Sequence, residues 1–507
     1  MAGFVLSNLV GLIRQNIILR IFGTSSVMDA FNATRLIPDV LFSLIAGGAL
    51  ASAFIPTFTG FLEEKDNKGA WHLASAIANL VVIVLTFISL LAEVFAPQIV
   101  SFLYILRPQL EQAQQTLIVE LLRIMLLTPV IFGISGLVMG ILNSFQSFML
   151  PALAPTMYWV GWIIGALFLV PSMGIYGLAW GVVLGACLHL AVQIPGLVRL
   201  AGRRYYPTLG LRTAAVREVG RLMVPRLFGV AIVQLNFVLN TILATGMAVG
   251  SLTAINTAWM IVTMPQVAIA QAIAIAALPT FSAQVARGEL GEMRSSLAAT
   301  LRSVILLSAP ASLGLILLRD PIVALLFQYG KFDAHSTSLV AWALLWYAAG
   351  LIGHCLVEIL SRAFYALHNT LTPVVVGIVA MSLNLVFSLL FSAWFLRIGW
   401  PPHGGLALAN SLATAIEAAT LIYLIRRKLN GLEGRYILTA SLQGLLACLV
   451  MCLALWGWLN WTSGRSVLLV AGGGVVIGFG IYSLCMLGLG VGEARALVRS
   501  LAHRLQP

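Results

Sequence analysis

The sequence predicts an all-α polytopic membrane protein: about fourteen transmembrane helices, arranged as two parallel six-helix lobes around a central cavity plus two C-terminal helices. Three observations carry this. First, only 9% of the 507 residues are charged and 60% are hydrophobic, where soluble domains carry about 25% charged residues; the mean hydropathy is +1.00. Second, apolar runs of about 20 residues, the length a helix needs to cross a bilayer, recur from end to end. Outer-membrane barrels are excluded, since their strands alternate in polarity. Third, the chain repeats itself. Ala53-Phe54-Ile55-Pro56-Thr57-Phe58 resembles Ala276-Ala277-Leu278-Pro279-Thr280-Phe281 at an offset of 223. Leu150-Pro151 answers Thr372-Pro373 at 222, and Gly177-Leu178-Ala179 answers Gly405-Leu406-Ala407 at 228. Six spans is an even number, so both copies cross the membrane in the same sense, a parallel repeat suited to alternating access.

The spans are expected near 2–22, 32–60, 72–95, 117–142, 148–170, 175–198, 219–245, 252–281, 297–318, 337–361, 373–396, 404–425, 436–459 and 466–490. The division is then an N-lobe over 1–198, a basic amphipathic linker over 199–218, a C-lobe over 219–428, and a final helix pair with a cytoplasmic tail over 429–507. The first span carries Arg14 near its middle, which costs about 2.5–3.5 kcal/mol on insertion scales. That cost points to a water-filled cavity where the cation faces an anion; snorkelling, or pairing with an acid such as Asp39, is the alternative. Asp29, Arg35 and Asp39 lie near the start of the second span, with Pro38 and Gly47-Gly48 as candidate hinges. The fourth span holds Glu120 and Arg123, the sixth His189, the eighth Pro265 as a further hinge, and the twelfth Glu417. In the tenth, His354 and Glu358 share one helical face, a candidate proton relay or else a helix-to-helix hydrogen bond. Gly472-Gly473-Gly474 sits in the last span.

Charge sets the orientation. With alternate crossings, 20 of the 29 Lys and Arg fall on one side and 6 on the other, with Arg14, Arg35 and Arg123 inside spans. The positive-inside rule then places both termini in the cytoplasm. The formal charge of +12 therefore reflects topology and calls for no nucleic-acid partner. Arg203-Arg204-Tyr205-Tyr206 leads into Leu211–Met223, which has the pattern of a helix lying on the membrane surface; a plain positive-inside loop fits as well. Arg14 interrupts the first apolar run, so no cleavable signal peptide is expected. The five cysteines lie in apolar segments without a Cys-x-x-Cys pair, so they read as small packing residues. No metal-ligand spacing, phosphate loop or nucleophile elbow occurs, and an enzyme is not expected.

Several stretches resemble the MurJ/MviN family: Ser7-x-x-x-Gly11-x-x-Arg14, Asp29-Ala30-Phe31, Gly47-Gly48-Ala49 through Pro56, Leu326-Phe327-Gln328-Tyr329-Gly330-Lys331-Phe332, and Arg362-Ala363-Phe364-Tyr365-Ala366-Leu367-His368-Asn369-Thr370 followed by Thr372-Pro373. The resemblance implies the multidrug/oligosaccharidyl-lipid/polysaccharide exporter fold. It implies a flippase for lipid II, the undecaprenyl-pyrophosphate-linked peptidoglycan precursor, in the bacterial plasma membrane. Its implied partners are lipid II or a related polyprenyl-pyrophosphate glycolipid, membrane lipids, and the cell-wall synthesis machinery. A cationic cavity would take the pyrophosphate head, and a groove formed by the last two helices would take the polyprenyl tail. No cofactor is implied; membrane potential or an ion gradient would drive switching.

On this resemblance Arg14 takes the place of the family's second first-helix arginine, and Asp29 that of its aspartate near the outer end of the second helix. Asn8 stands where members have an earlier arginine, Gln15 where they have an acid, and Ser43 and Met260 where several have further arginines. The candidate substrate-binding set is therefore Arg14, Asn8, Gln15, Arg35 and Asp29, with Arg35 or Arg123 able to compensate for missing cations. Asn236, Asn240 and Asn384 stand where some members carry sodium-ligating acids, and with Glu358 and His354 make the candidate ion or proton site. Two other readings stay open: a flippase for another polyprenyl-linked glycan or a drug/cation antiporter of the same fold, and a non-transporting membrane scaffold.

Overall fold

A computed structural model describes residues 2–45, 49–106, 112–200 and 202–491; the regular structure among them is all helical, with no strand. The chain packs as two compact units, Met1–Leu252 and Thr253–Pro507. The first contains α1 (Ala2–Phe22), α2 (Ser26–Ile45), α3 (Ala49–Glu63), α4 (Asn67–Val94), α5 (Gln112–Met125), α6 (Thr128–Ser144), α7 (Met149–Ile164), α8 (Ile175–Ala191) and α9 (Ala214–Thr245). At the boundary begins α10 (Ser251–Gln266), followed in the second unit by α11 (Ala272–Ala286), α12 (Leu290–Leu317), α13 (Ala334–Ala349), α14 (Leu351–Ala366), α15 (Leu371–Arg397), α16 (His403–Lys428), α17 (Gly434–Trp461) and α18 (Val467–Gly488).

Ten runs of described helix are long and apolar enough to cross a membrane, and α13–α14, bent by 46°, make an eleventh. Their bounds follow the expected spans closely, because apolar length is what both the bilayer and the sequence pattern measure. The three other places where the sequence expects a span hold α1, α2–α3 and α9. Across the second expected span, 32–60, the described residues form α2, which starts at Ser26 and runs to Ile45, and α3, which starts at Ala49; residues 46–48, and so Gly47 and Gly48, lie outside the described residues. Pro38 sits buried inside α2. Pro265 is the next-to-last residue of α10, two positions before the first residue of a π-helical turn, Val267–Gln271, the kind of local unwinding that bends a long helix.

The duplication is visible at element level. Pro56 is the eighth residue of the 15-residue α3, and Pro279 is the eighth of the 15-residue α11. Pro151 and Pro373 are each third in α7 and α15, and Gly177 and Gly405 each third in α8 and α16. A Cβ on Gly177 would fall 2.4 Å from the Leu169 carbonyl carbon, and one on Gly405 2.6 Å from that of Phe391. Both glycines thus admit the backbone of the preceding span in their own unit.

The linker departs from the expected surface helix. Residues 203–210 carry no regular secondary structure, and most of the amphipathic Leu211–Met223 stretch is the first part of α9. Asn79 on α4 donates to the Thr208 carbonyl at 2.8 Å and accepts from the Tyr205 hydroxyl at 2.8 Å, while the Tyr206 N–H donates to Ser75 Oγ at 3.1 Å. A backbone segment without regular structure must find partners for its polar groups, and the Ser75/Asn79 stripe, one turn apart, supplies them. The helix α9, expected to open the C-lobe, packs on α2 and α3 of the first unit, so the compact boundary falls at Leu252. In the second unit α17 packs on α12 and α18 around Leu306, Leu318, Cys448, Met451, Leu455 and Tyr482.

Candidate functional site

Arg14 is the thirteenth of the 21 residues of α1, and α1 lies against α7. Gly11, one turn before it, faces the same indole: a Cβ there would lie in ordinary contact with Trp159 Nε1 at 3.6 Å. The arginine neither snorkels nor pairs with Asp39. It is 6% exposed, and its guanidinium carbon lies 4.2 Å from the Trp159 ring centroid and 4.7 Å from that of Trp162. Cation–π contacts of this kind are worth up to about 2 kcal/mol when desolvated. A guanidinium carries five N–H donors. Nη2 donates to Gln15 Oε1 at 2.9 Å, but Nε and Nη1 are buried without a hydrogen-bond partner in the protein. Each buried unpaired donor costs about 1–3 kcal/mol, so this cation is held with hydrogen-bonding capacity to spare.

Arg35 comes to the same place from α2. Its guanidinium carbon is 5.5 Å from the Trp162 centroid, and its Nε is 3.0 Å from Asp39 Oδ2 one turn along the helix. Trp162 is 1% exposed and meets Phe31 edge-on at 5.5 Å, which fixes its plane. Tyr158 packs on Trp159 and Trp162 at 4.8 and 5.8 Å. The result is two guanidiniums and one carboxylate over an aromatic floor, within the first unit. It can bind an anion with several oxygens. Sequence reasoning picked out Arg14, Gln15 and Arg35 but missed the floor. Its only trace was Tyr158-Trp159-x-x-Trp162 on one helical face.

The other candidates separate. Asn8 is exposed on α1, a turn and a half before Arg14. Asp29 Oδ2 accepts the Gly250 N–H at 2.6 Å, pinning the turn before α10. Arg123 is exposed and makes no part of the aromatic floor. Asn240 donates to Asn236 Oδ1 at 2.9 Å within α9, and Asn384 accepts from Ser388 at 3.2 Å within α15 of the second unit. His354 and Glu358 do not pair with each other. His354 Nε2 meets Asn410 Oδ1 on α16 at 3.0 Å, and Glu358 takes Arg362 at 2.9 Å. A shared face brings two side chains to one stripe, but each turned to a stronger or better-placed partner. In the first unit, reasoning also missed a buried network. Ser135 Oγ lies 2.7 Å from His189 Nδ1 and accepts from Gln193 at 2.8 Å.

A helical membrane protein of two repeated units, with a buried cationic site on its first helix, belongs in architecture with the multidrug/oligosaccharidyl-lipid/polysaccharide exporters. Its fold matches a solved lipid II flippase MurJ in an inward closed conformation, with a TM-score of 0.81 over 98% of this chain and 99% of that one at 21% identity. It also matches an inward-facing multidrug resistance MATE transporter, with a TM-score of 0.70 over 84% and 96% at 17% identity. The family profile described as lipid II flippase MurJ covers residues 18–471. Lipid II flippase MurJ of Burkholderia cenocepacia is 33% identical over 84% of this chain and 83% of its own length. The probable lipid II flippase MurJ of Vibrio cholerae is 29% identical over 97% and 95%. The chain belongs to the MurJ family. The profile begins four residues beyond Arg14, so the role of that arginine rests on the geometry around it.

Proposed function

We propose that this protein moves lipid II from the cytoplasmic to the outer leaflet of the bacterial plasma membrane by alternating access. The observation that carries the reading is Arg14, buried to 6% exposure with Nε and Nη1 unpartnered in the protein. A pyrophosphate brings two or more negative charges and many acceptor oxygens into a low-dielectric slab. Guanidiniums answer it with bidentate charge-assisted bonds. The relatives named for lipid II match this chain over most of its length, which supports that cargo among the polyprenyl-linked glycans. The same site would fit the pyrophosphate of another such glycan. It suits a cationic drug poorly, since its fixed charge has the same sign.

In this reading the apolar pair α17–α18 takes the polyprenyl tail, and Pro265 with its π-helical turn supplies a hinge. Membrane potential or an ion gradient drives the switch, and both termini lie in the cytoplasm. Complementation of a strain depleted of its own lipid II flippase tests it. The parent chain restores growth, and Arg14→Ala abolishes rescue at matched membrane levels. Arg14→Lys rescues partly, keeping charge but losing the fork. Growth of Arg14→Ala equal to the parent would remove the pyrophosphate role.

A further inference from the structure

We propose that Asp39 is a built-in counter-ion that holds Arg35 between transport events and yields it to the phosphates of the arriving headgroup. The proposal rests on reading the Arg14 site as a pyrophosphate site.

The two arginines of the site are held in different ways. Arg14 is committed: it is buried and lies against two indole rings set at 70° to each other. Arg35 is reversible. Its contact with Asp39 runs through a single nitrogen at 3.0 Å, and the two side chains are 28% and 48% exposed. Partly exposed pairs of this kind contribute little stability, and a charge-assisted bidentate contact to phosphate is stronger. Exchanging Asp39 for a phosphate is therefore downhill for Arg35.

Trp162 makes the exchange productive. Its ring lies beneath both guanidiniums, at 4.7 Å from Arg14 and 5.5 Å from Arg35. Like charges facing one ring repel, and a negative group beside them relieves that repulsion. Asp39 supplies one negative charge for this purpose; a pyrophosphate supplies more and can reach both cations. Once the headgroup is bound, the Asp39 carboxylate is a like charge beside it and a competitor for Arg35. That favours release at the far side. Asp39 is thus a positioning residue that trades affinity for turnover, and Trp162 keeps the two arginines in register for one ligand.

The test measures binding of farnesyl pyrophosphate to the full-length protein in nanodiscs, by isothermal titration calorimetry, with farnesol as the uncharged control. Asp39→Asn should lower the Kd for farnesyl pyrophosphate about 3- to 10-fold, a change of up to about 1.4 kcal/mol, without changing farnesol binding. The same variant should slow growth in complementation. Asp39→Ser should behave alike, so misfolding of one variant leaves the other to decide. Arg35→Gln should weaken binding, and in that background Asp39→Asn should have no further effect, since the two act as a unit. Unchanged or weaker binding in both Asp39 variants, with Arg14→Ala still abolishing binding, would overturn the counter-ion and leave the pyrophosphate site standing. No saturable binding by the parent would remove both.

Discussion

Asp29 carries its charge near the N-terminus of α2, and the charge has a specific use: Oδ2 accepts the N–H of Gly250 at 2.6 Å. Gly250 has φ +89, a backbone conformation that a side chain would strain. Hydrogen bonds to charged groups contribute about 1.5–3 kcal/mol. Asp29→Ala should therefore lower the thermal midpoint of the detergent-purified protein, and Asp29→Asn, which keeps an acceptor, should lower it less. Equal midpoints for all three proteins would mean that this bond does not hold the turn. The sequence marked Asp29 and Arg14 because charge in an apolar run is expensive. It gave no comparable mark to Trp159 and Trp162, because an aromatic residue in a membrane helix costs nothing and fits core, lipid face or site alike. Nor could it pair His354, since helical spacing lists the neighbours on one helix and says nothing of Asn410 on another.

Two helices of the first unit meet through glycine. A Cβ on Gly161 would lie 2.2 Å from Gly185 Cα, and one on Gly165 2.4 Å from Gly181 Cα. Gly161 in α7 and Gly165 at the start of the π-helical turn that follows it, four residues on, face Gly185 and Gly181 of α8 and let the backbones touch, the small-residue packing that membrane helices use in place of hydrophobic drive. Arg14 reads its aromatic partners off α7, so this contact also sets the site. Gly181→Leu should destabilise by about 1–3 kcal/mol or more and weaken headgroup binding. By contrast Gly472→Ala on α18, where a Cβ meets nothing within 4 Å, should leave melting within error of the parent. Similar losses in both would show that glycine content, and not the close approach, matters. The spacing of these glycines, four apart in each pair, stands in the sequence, but which helix they meet does not. The π-helical turn at Gly165–Leu169 and the strap of residues 205–208 on α4 do not stand there either. Both depend on hydrogen bonds that a hydropathy pattern does not encode.

At the scale of the molecule, the span pattern and the repeat were legible because bilayer thickness fixes apolar length and duplication preserves Pro and Gly positions. The compact boundary at Leu252 was less so, since α9 follows a basic linker yet packs with the first unit. The 20-to-6 division of Lys and Arg predicts both termini in the cytoplasm. Cysteines introduced near Arg107 and Arg465 should react with an impermeant thiol reagent from outside cells, and cysteines near Arg204 and Arg427 should not. The reverse pattern would invert the topology. The central claim is movement of lipid II itself, and reconstitution tests it most directly. Vesicles carrying the full-length chain receive fluorescent lipid II, and an impermeant quencher reports how much has crossed, with a membrane potential imposed. The account predicts crossing well above that in protein-free vesicles and loss of it in Arg14→Ala. Crossing by the parent no faster than in protein-free vesicles, under a potential of either sign, would contradict it.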